Sequence, residues 1–458
     1  MRTYRRRALP ALAALVSTLL VLGCTAESEQ PDQPESGEHT EQPVEQSTAS
    51  DVQIPDGALG EQVSWLLQLL AADSGPDPEA AQERFTEGFL GAVGGDLEAV
   101  FDELRATGPF TVDYLEDHGA AAEVGLTDGS GQPLLMEVVL EEDDRIAGLL
   151  FSPDEIRQRE VAESWDELQE EVAGVATNAV LAAYRVQDGV CTGPEHEPMP
   201  TGSVFKLFVL GAVAQAVADG DLAWDETVTV TDEVRSLPSG ELQEAPEGTE
   251  VTIADAAAGM IQISDNTATD MLIDVVGRQA IEEALPDLGA SEPQLLRPFL
   301  TTRELFLLGW GAPEVLDQWE GADPETRREL LTQLPEDLDA VPPEAVTTPV
   351  WTEGADWLIP AQDLCEVHTR LADLGPEVRD ILGQNPGIAL DEDAWEYAGF
   401  KGGSAPGVTA GAWYLEPADG QPVVLVLQLA DPAQPIDPRL FAALAENAAA
   451  LLAEGAID

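Results

Sequence analysis

The sequence predicts an α+β protein of two domains, and three patterns carry that expectation. Residues 56–155 place helical periodicity ahead of alternating strands, residues 156–458 place strands at both ends with helices between them, and the stretch before residue 56 is too polar to bury a core. In the first domain the helical part runs through Leu59, Val63, Leu66, Leu67 and Leu70, then from Phe85 to Leu104. Alternation follows at Phe110, Val112 and Tyr114, then over residues 120–126, 134–140 and 145–151, and reads as a curved antiparallel sheet. The second domain opens with a helix over 161–172 and a strand over 178–186, turns at Asp188-Gly189, and adds a short second strand. A helix over 203–218, apolar on nearly every face, must be buried in a large domain, and Asp219-Gly220 stops it. Strands over 411–415 and 423–429, joined at Asp419-Gly420, and a helix over 438–453 close the chain.

The N-terminus carries Arg2, Arg5, Arg6 and Arg7, an apolar run from Ala8 to Leu22, and then Val21-Leu22-Gly23-Cys24. This reads as a lipoprotein signal over 1–23 with Cys24 as the lipidated residue, because about 20 apolar residues are needed to span a bilayer and this run is shorter. Residues 24–55 form an acidic tether, so the expected setting is export and a lipid anchor at the outer face of the cell membrane.

Formal net charge is −66, and removing 1–23 takes away four Arg and no acid, leaving −70. Such a surface makes nucleic acid an unsuitable partner and, since it repels itself unless salt screens it, points to a saline or alkaline extracellular setting. Of 21 basic residues only Lys206 and Lys401 are lysine, so each is expected to do something arginine cannot. Beyond Cys24 only Cys191 and Cys365 remain, in a compartment that permits disulfides, and the sequence leaves their pairing open.

Ser203-Val204-Phe205-Lys206 sets a hydroxyl and an amine one turn apart at the start of the buried helix, where unpaired N–H groups can stabilise an oxyanion. Ser264-Asp265-Asn266 precedes a helix over 267–276, and capping alone would account for such a triplet half the time. Lys401-Gly402-Gly403-Ser404 follows the turn at 391–396, and its two glycines suggest close approach by a ligand. His196 and His368 are the second domain's only histidines; no Gly-x-Ser-x-Gly elbow occurs, no His/Cys spacing suits a metal, and no cofactor is expected.

Taken in order, Ser203-x-x-Lys206, Ser264-Asp265-Asn266 and Lys401-Gly402-Gly403 resemble the motifs of class A β-lactamases and penicillin-binding proteins over residues 156–458. Thr267 to Asp270 and the run Leu300-Thr301-Thr302-Arg303-Glu304-Leu305 extend the likeness, while residues 56–155 resemble, without a motif, the ketosteroid-isomerase-like (cystatin-like) modules of some actinobacterial lipoproteins. The resemblance implies an antiparallel sheet flanked by helices plus an all-helical subdomain. It implies Ser203 as nucleophile, Lys206 as its base and Ser264 as the proton relay to the leaving nitrogen. Asn266 would bind the substrate amide, Lys401 its carboxylate, and the N–H groups of Ser203 and Ser404 would form the oxyanion hole. The implied partner is a β-lactam or a peptidoglycan peptide ending in D-alanine.

Three departures stand out. Residues 310–360 read as an acidic insertion, Gly402 stands where Thr is usual, and no Glu-x-x-Leu-Asn occurs, so Glu314, Glu320, Glu329, Glu344 and Glu353 read as solvated charges. Slow deacylation is therefore expected, and the rival reading is a non-catalytic envelope lipoprotein that binds peptidoglycan or a partner.

Overall fold

A computed structural model describes residues 52–456, apart from 73–74, 94–96, 142, 343–344 and 419. The signal segment 1–23, Cys24 and most of the tether lie outside the described residues. The chain divides into two compact units.

One unit holds the N-terminal part up to Gly174 together with 388–394 and the closing segment from Asp437. Its helices are α1 (Ala58–Ala71), α2 (Pro78–Arg84), α3 (Glu87–Val93) and α4 (Leu97–Arg105). The run read as one helix from Phe85 is interrupted: Phe85 bridges to Ile146, and Thr86 accepts a hydrogen bond from Phe89 N at the start of α3. Strands β1 (Thr111–Asp117), β2 (Ala121–Thr127), β3 (Pro133–Leu140) and β4 (Ile146–Pro153) form an antiparallel meander in that order. Period-two alternation sends Ala122, Val124 and Leu126 of β2 and Met136 and Val138 of β3 into one core with Val63, Leu66, Phe85 and Phe101 of the helical segment. The ketosteroid-isomerase-like expectation rests on this helices-then-sheet order and goes no further.

Helix α5 (Trp165–Ala173) and the closing helix Pro438–Ala453 also group with this unit, so its boundary differs from the one the sequence suggests at 155. Named contacts explain why. Asn447 of the closing helix accepts from Ala162 N at 3.0 Å and donates to Ala162 O at 3.1 Å, and Arg439 donates to both oxygens of the buried Asp154 at 2.9 Å.

The other unit comprises 175–387 and 395–436 among the described residues. Its strands are β5 (Asn178–Gln187), β6 (Val190–Thr192), β7 (Met199–Pro200), β8 (Thr227–Thr229), β9 (Glu250–Thr252), β10 (Leu358–Ile359), β11 (Trp395–Ala405), β12 (Val408–Pro417) and β13 (Val423–Ala430). Five of them form an antiparallel sheet ordered β11-β12-β13-β5-β6, with β11 at an edge. The helices are α6 (Lys206–Asp219), α7 (Ile253–Gln262), α8 (Asn266–Val276), α9 (Arg278–Ala284), α10 (Thr302–Phe306), α11 (Pro313–Leu316), α12 (Pro324–Leu331), α13 (Ala361–Ala372) and α14 (Pro376–Gly383).

Apolar on all sides, α6 is buried from Leu207 to Ala214 and sits in the common core with α7, α8, α9 and α13. Gly220 ends it in the left-handed conformation at φ 82°. The segment read as an insertion, 310–360, is part of this core: Val315, Trp319, Leu330, Val350 and Trp357 are buried there. The cysteine pairing left open by the sequence is closed, with Cys191 of β6 bonded to Cys365 of α13.

Candidate active site

The three motifs, spread over two hundred residues, meet at the mouth of α6. Gly202–Phe205 forms a 3-10 turn and Lys206 begins the α-helix proper, so Ser203 sits one tight turn before the helix rather than within it. Ser203 is half-buried and Lys206 fully buried.

Lys206 Nζ donates to Ser264 O at 2.6 Å, to Asn266 Oδ1 at 2.7 Å and to Ser264 Oγ at 3.1 Å. Two of these partners can only accept, whereas a hydroxyl can donate or accept. A neutral amine, with two N–H groups and one lone pair, therefore satisfies the same three contacts by accepting from Ser264 Oγ. Burial holds Lys206 well below the ordinary lysine range, the charge of Lys401 lowers it further, and Asp265 and Asp270 oppose both.

Ser264 Oγ is shared. Lys401 Nζ donates to it at 3.1 Å and to Gly402 O at 2.6 Å, and burial brings Lys401 down to about 7. One hydroxyl thus bridges two amines, both of which burial pushes toward neutrality, and this is an arrangement through which a proton can pass. Ser264 is one of few non-glycine residues at positive φ, at 58°, a strained setting that turns both its carbonyl and its hydroxyl to Lys206. Asp265 is indeed an N-cap, accepting from Ala268 N at 2.8 Å, and its other oxygen accepts from Glu241 N and Leu242 N at 2.7 and 2.9 Å. The triplet thus caps α8 and carries polar groups into the site at once. Asn266 Nδ2 donates to Leu237 O at 3.0 Å, which fixes the amide so that its oxygen faces Lys206.

The glycines of the third motif have a different reason from the ligand approach expected of them. A β-carbon on Gly403 would lie 2.1 Å from Thr201 O and 2.6 Å from Ser203 N, so β11 passes in contact with the turn that carries Ser203. A β-carbon on Gly402 would lie 2.8 Å from the ring of Phe400. Ser404 is exposed on the same strand, and its N lies 2.9 Å from where a β-carbon of Gly202 would stand. All eight site residues expected from the second domain are thus brought to this end of α6 and β11.

Of the groups that hold them, sequence reasoning missed Asp356 and Trp357 and gave no role to Asp270 and Thr302. Asp356, fully buried, directs a single oxygen, Oδ1, at three backbone N–H groups: Thr201 at 3.2 Å, Gly202 at 3.0 Å and Trp357 at 2.6 Å. It thereby clamps the approach to Ser203, and burial raises it to about 6. Trp357 stacks on Phe205 at 3.5 Å, and β10 pairs with β7 just ahead of the turn. Asp270, pushed up by burial to about 7, accepts from Thr302 N at 2.7 Å and Arg303 N at 2.9 Å at the start of α10. Thr302 Oγ1 reaches Asn266 O at 3.2 Å. Thr301 and Glu304 form a capping box at the start of α10, a local signal that could have marked that helix in the sequence, but no such signal marks Asp356.

Of the glutamates weighed for a water-activating role, Glu314, Glu320 and Glu329 are exposed. Glu353 is half-buried and accepts from Thr352 Oγ1 at 2.6 Å, and Glu344 lies outside the described residues.

Residues 165–349 match the Beta-lactamase enzyme family, and residues 54–146 match the family described as ORF 12 gene product N-terminal. No curated protein matches the chain. Among solved structures, a β-lactamase from Sphaerobacter thermophilus is 21% identical over 64% of this chain and 99% of its own, with a TM-score of 0.44. One from Chitinophaga pinensis is 17% identical over 66% and 100%, also at 0.44. PBP-A is 19% identical over 63% and 95%, at 0.38.

Proposed function

We propose that the β-lactamase-family domain of this chain is a serine hydrolase that forms an acyl-enzyme on Ser203 with β-lactams or with peptides ending in D-alanine. The observation that carries this reading is the Lys206–Ser264–Lys401 chain: a fully buried amine, held below the lysine range, bonded to a hydroxyl that a second buried amine also holds. In the first step Ser203 Oγ bonds to the carbonyl carbon while its proton passes to Lys206. The C–N bond then breaks as Ser264 gives its proton to the leaving nitrogen and is refilled from Lys206. The N–H groups of Ser203 and Ser404 would hold the oxyanion, and Asn266 the substrate amide.

Release of the acyl group needs an activated water, and the missing Glu-x-x-Leu-Asn supports slow deacylation. The signal-like N-terminus ending at Cys24 supports anchoring of this domain outside the cell membrane, within reach of peptidoglycan.

Labelling of the purified protein with a fluorescent penicillin tests the reading. Wild type should be labelled, Ser203→Ala should not, and Lys206→Arg should lose nearly all labelling because arginine keeps its proton. Labelling of Lys206→Arg at the wild-type rate overturns the assignment of the base, and a wild type that is neither labelled nor hydrolyses the penicillin favours the non-catalytic lipoprotein.

A further inference from the structure

The carbonyl of Ser264 takes two donors. Lys206 Nζ reaches it at 2.6 Å from the buried start of α6, and Ser239 Oγ reaches it at 2.9 Å from the loop between β8 and β9. A carbonyl oxygen has two lone pairs, so this one is fully used. Ser239 also bonds the motif a second time. Its own carbonyl accepts from Asn266 N at 2.9 Å, one of the backbone donors that the first turn of α8 leaves without a partner inside the helix. The same loop fits closely along the rest of the triplet. Leu237 O accepts from Asn266 Nδ2 at 3.0 Å, Ser236 N donates to Thr267 Oγ1 at 3.1 Å, and a β-carbon on Gly240 would lie 2.4 Å from Asp265 Cα. These contacts use the backbone of the loop and would survive a change of side chain, whereas the bond to Ser264 is made by the Ser239 hydroxyl.

Ser264 needs such a brace. At φ 58° a residue with a β-carbon occupies a costly region that it keeps only while its neighbours hold it there. Its hydroxyl lies 3.1 Å from Lys206 Nζ and 3.1 Å from Lys401 Nζ, toward the long end for hydrogen bonds, so a small turn of the peptide breaks one of them. Lys206 holds one lone pair of the Ser264 carbonyl, but in the proposed reaction it gains the proton of Ser203 and gives it up again. Ser239 Oγ has no such duty, and a neutral hydroxyl on the second lone pair can keep the peptide in place throughout.

We infer that Ser239 is a positioning residue for acylation, whose hydroxyl fixes the Ser264 peptide and so aims Ser264 Oγ at the leaving nitrogen. This rests on Ser203 being acylated as proposed above. The bonds are those already described: Ser203 Oγ joins the carbonyl carbon, the C–N bond breaks, and the proton that Ser264 gives to nitrogen is replaced from Lys206. Ser239 exchanges no proton and acts through Ser264 alone. Its loss is therefore felt where the leaving group must be protonated. An amide nitrogen must be, whereas in a thioester the C–S bond breaks and sulfur leaves as the thiolate.

Penicillin G and a phenylacetyl thioester of an aromatic thiol separate the two cases. Second-order rates of acylation of the full-length protein are read by quenched mixing and intact-protein mass spectrometry, or from consumption of each compound well below saturation. Ser239→Ala should lower the penicillin rate at least ~10-fold, the weight of about one hydrogen bond, and the thioester rate less than ~3-fold. Ser239→Cys, close in size and a weak donor, should show the same split, and Ser239→Thr, which keeps the hydroxyl, should recover most of the penicillin rate. Thermal melting followed by circular dichroism establishes that each variant is folded. Equal losses with both compounds in the folded Ala and Cys variants, no loss with either, or no recovery in Ser239→Thr overturns the inference and leaves acylation standing. A wild type that neither gains an adduct from penicillin nor consumes it overturns the acylation reading itself, and the role of Ser239 with it.

Discussion

Asp356 offers the sharpest test of how the nucleophile is held, because all three of its backbone hydrogen bonds end on one oxygen. In Asp356→Ala the N–H groups of Thr201, Gly202 and Trp357 lose their partner in a buried place. At about 1–3 kcal/mol for each orphaned group, and with some water entering, the expected loss is about 3–6 kcal/mol. Asp356→Asn keeps an oxygen in the same place and should cost no more than about 1 kcal/mol at neutral pH. The pair also differs in pH response. The folded protein raises this carboxyl from 3.8 to about 6, so its contribution to stability is full below about pH 4 and is lost as pH rises through 6. At 1.36 kcal/mol per unit this amounts to up to about 3 kcal/mol, and asparagine lacks it. Urea unfolding followed by tryptophan fluorescence at pH 4.5 and 7.5 measures both effects. The asparagine variant should gain on wild type between those two pH values, and penicillin labelling should survive in Asn and be lost in Ala. The clamp reasoning is refuted if Asn is as damaging as Ala, or if the gap between Asn and wild type does not move with pH.

Three further outcomes follow from the site and the charge. Because Lys206 is held well below the ordinary lysine range, acylation should rise with pH and level off well before the pH at which a free lysine titrates; a rate still climbing at pH 10 points to an unperturbed amine as the base. Mixed with a penicillin, the protein should show a lasting adduct on Ser203 by mass spectrometry, since losing a positioned base for water costs about 10²- to 10⁴-fold, and rapid turnover without an adduct refutes the slow-deacylation argument. Melting temperature should rise from low salt to molar NaCl, because 87 acidic residues face only 21 basic ones, and a flat or falling curve removes the case for a saline setting.

How much of this was legible in the sequence depended on whether a feature left a local trace. The strand alternation in 110–151 and the all-apolar α6 announced themselves because burial is periodic, and the closing helix was found at its observed ends because Asp437 caps it and Pro438 starts it. The break at Phe85 was missed because the apolar periodicity runs straight through it, while the bridge to Ile146 is 61 residues away in sequence. The grouping of the closing helix with the N-terminal unit was hidden for the same reason, since Arg439–Asp154 and Asn447–Ala162 each span 285 residues. Residues 310–360 misled through composition: exposed acidic residues are interleaved along the segment with buried ones such as Val315, Trp319, Leu330, Val350 and Trp357, which make it part of the core.

The site itself was legible through scarcity. Where nearly every cation is arginine, two lysines mark the places where a proton must be able to leave, and both turned out buried, depressed by desolvation and joined through Ser264 Oγ. The groups that aim them were less legible: Asp270 entered only as part of the family likeness, with no role, and Asp356 looks like a solvated Asp in a chain where Asp is among the commonest residues. Only the fold separates them, by removing water and offering backbone N–H groups in its place. The same logic runs through Gly402, read as room for a ligand, where a β-carbon would also stand 2.8 Å from the ring of Phe400. An anionic surface keeps this protein apart from its neighbours, while the chemistry depends on a few amines and carboxyls that burial holds close to neutral. Those two demands are compatible because screening ends the surface field within about 8–10 Å at ordinary salt, whereas desolvation acts on each buried group where it stands.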